Sequence, residues 1–188
     1  GGKLTTYRLM AKDLVKASIR WLRDHKNDLF ADREPQKPHT KTLPLPGGEG
    51  FENPSDAAVM QLAETTAAKS GLPLQLTEHW AYTYGTRSSM LVALVLDDPK
   101  LQEPLQSDLP HTWAEIEFAI RHEMVRTVDD ILARRVPLLL IGLEQGLDVL
   151  EQVAERMAKA RGWDAARQTL EVERYQQTVA ESRLFRTQ

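Results

Sequence analysis

The stretch Thr112–Arg135, TWAEIEFAIRHEMVRTVDDILARR, carries the clearest helix signal in the chain. Thr112 and Glu115 have the spacing of a capping box, in which each side chain bonds the backbone N–H of the other residue at a helix start. Apolar residues then recur at helical spacing, and the opposite face is charged. The pattern predicts one central, most buried helix over the whole stretch, with Ile120 and Met124 inside.

Further helices are predicted on both sides of this stretch, because capping residues and helix breakers bound each apolar pattern. These boundary residues are Ser55, Gly71, Gly85, Pro137, Gly162 and Asp164. The helix that starts at Pro137 is predicted to continue to Gly162. No alternating pattern of useful length indicates a strand. The predicted fold class is therefore all-α, a bundle of about six helices.

An amphipathic helix is predicted near the beginning of the chain, over residues 6–25. Its apolar side includes Met10, Leu14 and Trp21, and its other side is basic. The apolar side chains of such a helix contribute to stability when they are buried against another surface. We therefore expect this helix to pack on its own domain or in a dimer.

Residues 28–54 lack any helical or strand periodicity and are rich in proline and glycine. A segment of this length and composition is typical of a surface loop that connects two domains. Leu43, Leu45 and Phe51 are the side chains expected to anchor it in part.

The composition excludes several classes of protein. The 188 residues are 41% hydrophobic and 27% charged, with a net charge of −3 and no cysteine. Disulfides are therefore excluded, and no basic stripe indicates nucleic-acid binding. No apolar run approaches the roughly 20 residues that span a bilayer.

Histidine and carboxylate residues in the central stretch invite a metal interpretation. His122-Glu123 would need a second histidine four residues after His122 to form a zinc-protease helix, and Arg126 stands there. His111 and Glu115 could group with His122 at one helix end, but helix capping and surface pairing explain them more simply. No metal site is predicted.

Two charged pairs in the same stretch have ordinary explanations as well. Asp129-Asp130 is typical of a solvated helix face, since a Mg²⁺ site needs several convergent oxygens. Arg134-Arg135 stands at a predicted helix C-terminus, where the helix dipole favours cations.

The first residues combine features that suit a closely bound anionic group. Gly1 and Gly2 allow a close backbone approach, Lys3 supplies a positive charge, and Thr5 or Thr6 can cap the following helix. The free N–H groups of a helix N-terminus favour negative charge. This end of the chain is therefore a candidate binding site.

Several motifs together resemble the C-terminal part of FAD-dependent glycerol-3-phosphate dehydrogenases and related glycerophosphate oxidases. They are Gly1–Arg8, Leu43–Gly48, Tyr84–Arg87 and Leu109–Arg135, in the expected order. The chain departs from the family at Val136-Pro137, where a threonine and a basic residue are usual. That departure puts in doubt a role for basic residues at this corner.

The resemblance implies a domain organisation. Residues 1–28 would form the terminal, cofactor-side helix of an FAD domain that is otherwise missing, 29–55 a connector, and 56–188 the C-terminal helical domain. Lys3 would contact substrate in the active site, and the flavin would be lined by Gly1, Gly2, Leu4, Thr5 and Thr6. The missing domain would hold the FAD, so the chain alone is expected to be inactive.

The implied activity is oxidation of sn-glycerol 3-phosphate to dihydroxyacetone phosphate, with electrons passing through FAD to a membrane quinone. The implied location is cytoplasmic, with peripheral contact to the inner face of the cell membrane and homodimer formation left open. Two alternatives remain: a glycerophosphate oxidase that uses O₂, and a helical module that mainly binds a partner or membrane surface.

Overall fold

The computed structural model describes residues 4–26, 36, 39–53 and 55–184. Gly1, Gly2 and Lys3, which carry the predicted binding site at the chain start, lie outside the described residues. The chain divides into two compact units, Gly1–Leu45 and Pro46–Gln188.

The first unit contains a 3₁₀ turn, Leu4–Thr6, followed directly by helix α1, Tyr7–His25. Thr6 stands at the N-cap position, where its hydroxyl lies 3.7 Å from the sulfur of Met10. The predicted helix is confirmed. The described residues of this unit leave its apolar side exposed, since Met10, Leu14 and Trp21 are 50%, 68% and 56% exposed.

The second unit begins with three helices whose ends follow local capping chemistry. Helix α2, Asp56–Ser70, starts where Ser55 accepts the N–H of Ala58 and ends at Gly71, which has a φ of 74°. Helix α3 spans Leu74–Tyr84 and ends at Gly85, and a 3₁₀ turn then leads into helix α4, Ser88–Asp97. The helix boundaries expected at Ser55, Gly71 and Gly85 are confirmed.

The remaining elements complete the helical bundle. They are a 3₁₀ turn Pro99–Gln102, α5 Trp113–His122, a π-helix Asp130–Arg135, α6 Leu138–Ile141, α7 Leu150–Arg161 and α8 Ala165–Ser182. Asp164 caps α8 by accepting the N–H of Arg167 at 2.8 Å. The described part of the chain has no strand beyond one isolated bridge between Pro104 and Thr112. The all-α prediction is confirmed.

The core of the second unit surrounds α5. Ile116 and Phe118 of this helix are fully buried, together with Trp80 from α3 and Tyr175 from α8. Trp113, the first residue of α5, is buried too. In the part of the chain that the structure describes, no helix is long and apolar enough to cross a membrane.

The prediction of one helix over Thr112–Arg135 is wrong. Helix α5 ends at His122, and Met124 has a φ of 56° and is 84% exposed. A second helical turn then starts at Thr127, whose hydroxyl accepts the N–H of Asp130 while Asp130 accepts the N–H of Thr127. This reciprocal pair is a second capping arrangement, and it restarts the helix inside the apolar pattern.

Carbonyl groups at the break after α5 are hydrogen-bonded by a residue from outside this stretch. The Arg161 guanidinium on α7 donates to the carbonyl oxygens of Ile120 and Val125, at 3.0 and 2.9 Å. These carbonyls lie at or beyond the helix end, where intrahelical partners run out. The distant arginine therefore replaces backbone bonds that a longer α5 would have made.

The prediction of one helix from Pro137 to Gly162 is wrong as well. The four-residue α6 ends at Gly142, and turns fill the interval before α7 begins at Leu150. A Cβ at Gly142 would lie 2.9 Å from the carbonyl oxygen of Leu138, and Gly146 has a φ of 80°. Both glycines take positions that the interior of a helix does not offer.

The expected anchoring of the connector through leucines is not observed, because Leu43 and Leu45 are exposed. Phe51 is partly buried and lines a shallow hollow with Ala58 and Leu62 of α2.

Candidate functional site

Five hydrogen bonds among the described residues converge on the buried carboxylate of Glu115. Its Oε1 lies 3.0 Å from His79 Nε2, 2.9 Å from His111 Nδ1 and 3.1 Å from the Tyr84 hydroxyl, which donates to it. Its Oε2 accepts the backbone N–H of Thr112 at 2.7 Å and faces the Thr112 hydroxyl at 3.4 Å. Glu115 thus closes the predicted capping box and is the centre of a polar network.

Three separate elements bring the members of this network together. His79 and Tyr84 lie on α3, and Glu115 lies in the first turn of α5. His111 precedes α5, where its carbonyl oxygen accepts the N–H of Leu105 at 2.8 Å beside the isolated bridge. The two imidazole rings meet edge to face, with ring centroids 4.7 Å apart.

The network favours the ionised form of Glu115. Burial alone would raise the pKa of this carboxyl group, but hydrogen bonds from His111 and His79 outweigh it and lower the pKa to about 2. Burial and the neighbouring Glu115 charge both raise the pKa of the Tyr84 hydroxyl, which therefore stays protonated and keeps its role as a donor.

Part of this cluster could be seen in the sequence. The sequence allows His111 and Glu115 to group at one helix end, and the structure brings them together at 2.9 Å. Surface pairing, the simpler explanation from the sequence, is wrong for this pair, because both residues are buried. It does not bring His122 into the group, since that ring packs on Phe118 with centroids 5.3 Å apart. His79 and Tyr84 were missed as site residues, because their approach to Glu115 depends on how α3 packs near the start of α5.

Next to the network, two motif segments meet through their backbones. Gly47 has a φ of 91°, and a Cβ added to it would lie 2.2 Å from the carbonyl oxygen of Tyr84. The Gly47 carbonyl oxygen in turn accepts the N–H of Thr86 at 2.9 Å. The segment around Gly47 therefore packs on the Tyr84-Gly85-Thr86 turn so tightly that only glycine fits.

The site residues predicted at the chain start receive no structural test. Gly1, Gly2 and Lys3 lie outside the described residues. Leu4, Thr5 and Thr6 form the exposed turn before α1, so they lead into the N-terminus of a 19-residue helix. Their assignment to a flavin remains a prediction.

The arginine pair at the end of the central stretch is engaged by carboxylates. Arg134 binds Asp130 at 2.8 Å, and Arg135 lies 3.6 Å from a carboxylate oxygen of Glu123. The next residue, Val136, is fully buried. Its apolar side chain belongs to the core of the second unit.

A cleft with a volume of about 680 Å³ lies between α4, α5 and α7. Its wall contains Glu117, which binds Arg121 at 3.2 Å and Arg156 at 2.9 Å. Arg156 also stacks over the ring of Trp113, at 4.7 Å from the centroid. Glu117 therefore forms ion pairs with both arginines along the cleft wall.

Comparison with known proteins places these features in a family. Residues 38–168 match the model of the C-terminal domain of alpha-glycerophosphate oxidase. The chain belongs to this family. The matched region includes the Gly47 and Gly85 contact and the whole Glu115 network.

Named relatives agree with the family assignment. The chain is 30% identical to glycerol-3-phosphate dehydrogenase 2 of Mycobacterium tuberculosis over 179 residues, which is 95% of this chain and 28% of that protein. It is 30% identical to the mitochondrial glycerol-3-phosphate dehydrogenase of Schizosaccharomyces pombe, covering 88% of this chain and 27% of that protein. The Synechocystis glycerol-3-phosphate dehydrogenase is 26% identical, over 97% of this chain and 30% of its own length. The chain thus spans less than a third of these relatives.

Proposed function

We propose that this chain serves as the C-terminal helical domain of an FAD-dependent enzyme that oxidises sn-glycerol 3-phosphate to dihydroxyacetone phosphate. The observation that carries the proposal is the family match over residues 38–168, supported by relatives named glycerol-3-phosphate dehydrogenases. The proposed electron acceptor is a membrane quinone. The proposed location is the cytoplasm, with peripheral contact to the inner face of the cell membrane.

In this proposal the chain start contributes to the active site of the complete enzyme. Lys3 contacts the phosphate dianion of the substrate as a compact positive charge. Gly1, Gly2 and the turn Leu4–Thr6 line the flavin, and the N-terminus of α1 follows directly in sequence. A helix N-terminus at this place favours negative charge on a neighbouring group. Bound FAD would supply the hydride-accepting chemistry.

The helical domain itself is proposed as a scaffold. The backbone contact between Gly47 and Gly85 and the buried bonds of Glu115 fix one end of α3 against the start of α5. Such contacts hold geometry without reacting groups. In this proposal the rest of the enzyme supplies the flavin site and most of the substrate site, so the 188-residue chain alone is expected to bind neither FAD nor glycerol 3-phosphate measurably.

The test is an acceptor assay on the full-length protein that contains this chain. We expect glycerol 3-phosphate, but not glycerol, to bleach the flavin absorbance under anaerobic conditions and to reduce a soluble quinone analogue. The 188-residue chain is the matched control and should show neither flavin nor turnover. Failure of the full-length protein to oxidise glycerol 3-phosphate would reject the proposal.

The same assay distinguishes O₂ from quinone as the electron acceptor. An oxidase would consume O₂ and release hydrogen peroxide in proportion to substrate, with little added turnover from quinone.

Flotation with vesicles that contain anionic lipid tests the membrane contact, since a protein with no affinity for the surface stays at the bottom of the gradient.

A second candidate function is binding of a partner surface, and the exposed apolar side of α1 favours it. Leu9, Met10, Leu14 and Trp21 are all at least half exposed on this helix. Several exposed apolar side chains on one helix are typical of an interaction site. In this case α1 would bind a second copy or the rest of the enzyme, and the domain would act through assembly.

A further inference from the structure

Three side chains of the Glu115 network offer donor atoms that bind transition metals. One ligand atom from each of His79, His111 and Glu115 lies within 4.8 Å of the other two. Both imidazole nitrogens are already at 2.9 to 3.0 Å from the same carboxylate oxygen. The set is two nitrogens and one oxygen, and it is largely shielded from water, with side chains 15%, 10% and 0% exposed.

The charge at this place points to a cation. Glu115 is fully buried, and among the described residues its ion-pair partners are only His79 and His111, with no lysine or arginine. The buried carboxylate has hydrogen-bond donors but no permanent positive partner, so its full negative charge is available to a cation. A divalent ion bound between the three side chains would supply that positive charge at the point where the donors converge.

We propose that His79, His111 and Glu115 form a binding site for one transition-metal ion of the Zn²⁺ class. Two imidazoles and a carboxylate are a common ligand set for zinc, with a fourth position left to water. The same donors suit hard cations poorly, because Mg²⁺ and Ca²⁺ prefer oxygen ligands throughout.

The geometry needs only a small adjustment of side chains. Ligands at about 2.0 to 2.2 Å from a tetrahedral zinc lie roughly 3.4 Å from one another, so the widest separation has to close by at most about 1.4 Å. The ring nitrogen that now bonds Oε1 would instead offer its lone pair to the metal ion. The proton of each imidazole would then lie on the other ring nitrogen. The backbone positions of α3 and α5 can stay as they are.

Groups around the three side chains already hold the carboxylate. The Thr112 N–H binds Oε2 at 2.7 Å, and the Tyr84 hydroxyl donates to Oε1 at 3.1 Å. Outer partners of this kind orient metal ligands and tune affinity. A metal here would join α3 to the start of α5 and would be structural, so this inference does not depend on the flavin chemistry.

The experiment is a Zn²⁺ titration of the tag-free, EDTA-treated 188-residue chain by calorimetry. We expect one ion per chain, with affinity reduced at least tenfold in His79→Ala and in His111→Ala. His122→Ala is the matched control, since this exposed histidine lies on α5 outside the cluster, and it should bind as the wild type does. Mg²⁺ should give no binding at the same concentrations.

A second readout covers variants that fail to fold. In the wild-type chain, Zn²⁺ should shift the imidazole nitrogen resonances of His79 and His111 and leave those of His25, His39 and His122 unchanged. Tyr84→Phe keeps all three ligands and should retain binding within about tenfold. If Zn²⁺ leaves the His79 and His111 resonances unchanged, or if His122→Ala weakens binding as much as His79→Ala, the metal site is rejected and the cluster is only a hydrogen-bonded network.

Discussion

The carbonyl oxygen of Gly47 lies only 2.0 Å from the point that a Cβ on Gly85 would occupy, so these two backbones are in direct contact. The same carbonyl accepts the N–H of Thr86. Tyr84, immediately before Gly85, anchors the helix end through its bond to Glu115. The segment around Gly47 and the Tyr84-Gly85-Thr86 turn are distant in sequence, but they pack together beside the buried polar network.

Gly47→Ala should destabilise the second unit far more than Gly50→Ala. Both glycines have positive φ, 91° and 85°, so both variants incur the cost of a left-handed backbone, about 1 to 2 kcal/mol. Only at Gly47 does the new methyl group meet backbone, at 2.2 Å, whereas at Gly50 it meets the Thr86 methyl at 3.9 Å. We expect an additional loss of about 2 kcal/mol or more in the free energy of unfolding, measured by urea denaturation.

Hydrogen exchange distinguishes local detachment of the segment around Gly47 from a global loss of stability. If the segment around Gly47 simply moves away, the Thr86 amide should exchange faster in Gly47→Ala while amides inside α5 keep their protection. Equal stability and equal Thr86 exchange in the two variants would contradict the close backbone contact.

Acid should destabilise the metal-free protein through Glu115. Its pKa is lowered from 4.5 to about 2 in the folded chain, so its ionised form stabilises the fold above pH 4.5. That contribution, on the order of 3 kcal/mol, is lost progressively as the pH falls from about 4.5 to about 2, because the unfolded chain takes up the proton first. The measurement is the free energy of unfolding between pH 6 and pH 2, in EDTA.

Glu115→Gln should be less stable at neutral pH, because the amide cannot accept all of the present donors. Its stability should, however, fall less steeply between pH 4.5 and pH 2 than that of the wild type. Glu64→Gln, which removes an exposed carboxylate on α2, is the control and should keep the wild-type slope. An unchanged slope in Glu115→Gln would show that this carboxylate does not govern the acid transition.

The parts of the fold that local chemistry sets could be predicted from the sequence. Ser55 and Asp164 accept backbone N–H groups at helix starts, and Gly71 ends α2 with a left-handed backbone, as their residue types indicate. The capping role of Glu115 was also correct. These features depend on residues within four positions of one another, so no knowledge of packing was needed.

The parts that depend on distant residues could not be predicted. The apolar pattern continues past His122, yet Arg161 from another helix satisfies the carbonyls where α5 ends. The Thr127 and Asp130 pair was a readable signal for the restart, but the continuous pattern concealed it. His79 joins Glu115 across 36 positions of sequence, and nothing near His79 reveals that contact.

The exposed side of α1 should mediate association. Leu14 and Trp21 are 68% and 56% exposed, and burying such side chains contributes roughly 1.5 to 3 kcal/mol each. We expect the 188-residue chain to self-associate in analytical ultracentrifugation as concentration rises, and Leu14→Glu combined with Trp21→Glu to abolish this. Lys12→Glu combined with Arg20→Glu, on the basic side, is the control. Monomeric behaviour of the wild type at all concentrations would contradict self-association through α1.

Lys3→Ala should impair turnover in the full-length enzyme while leaving flavin content and fold unchanged. Lys3 follows two glycines and precedes the turn into α1, and by resemblance it matches an active-site lysine that contacts a phosphate dianion. Loss of one charge-assisted contact costs about 1.5 to 3 kcal/mol, which corresponds to at least a tenfold lower kcat/KM for glycerol 3-phosphate. Lys12→Ala on α1 is the control, because this exposed lysine lies beyond the predicted site. Flavin absorbance and circular dichroism confirm that both variants are loaded and folded. Wild-type kinetics in Lys3→Ala, or flavin that copurifies with the 188-residue chain alone, would contradict the assignment of this chain start to the active site.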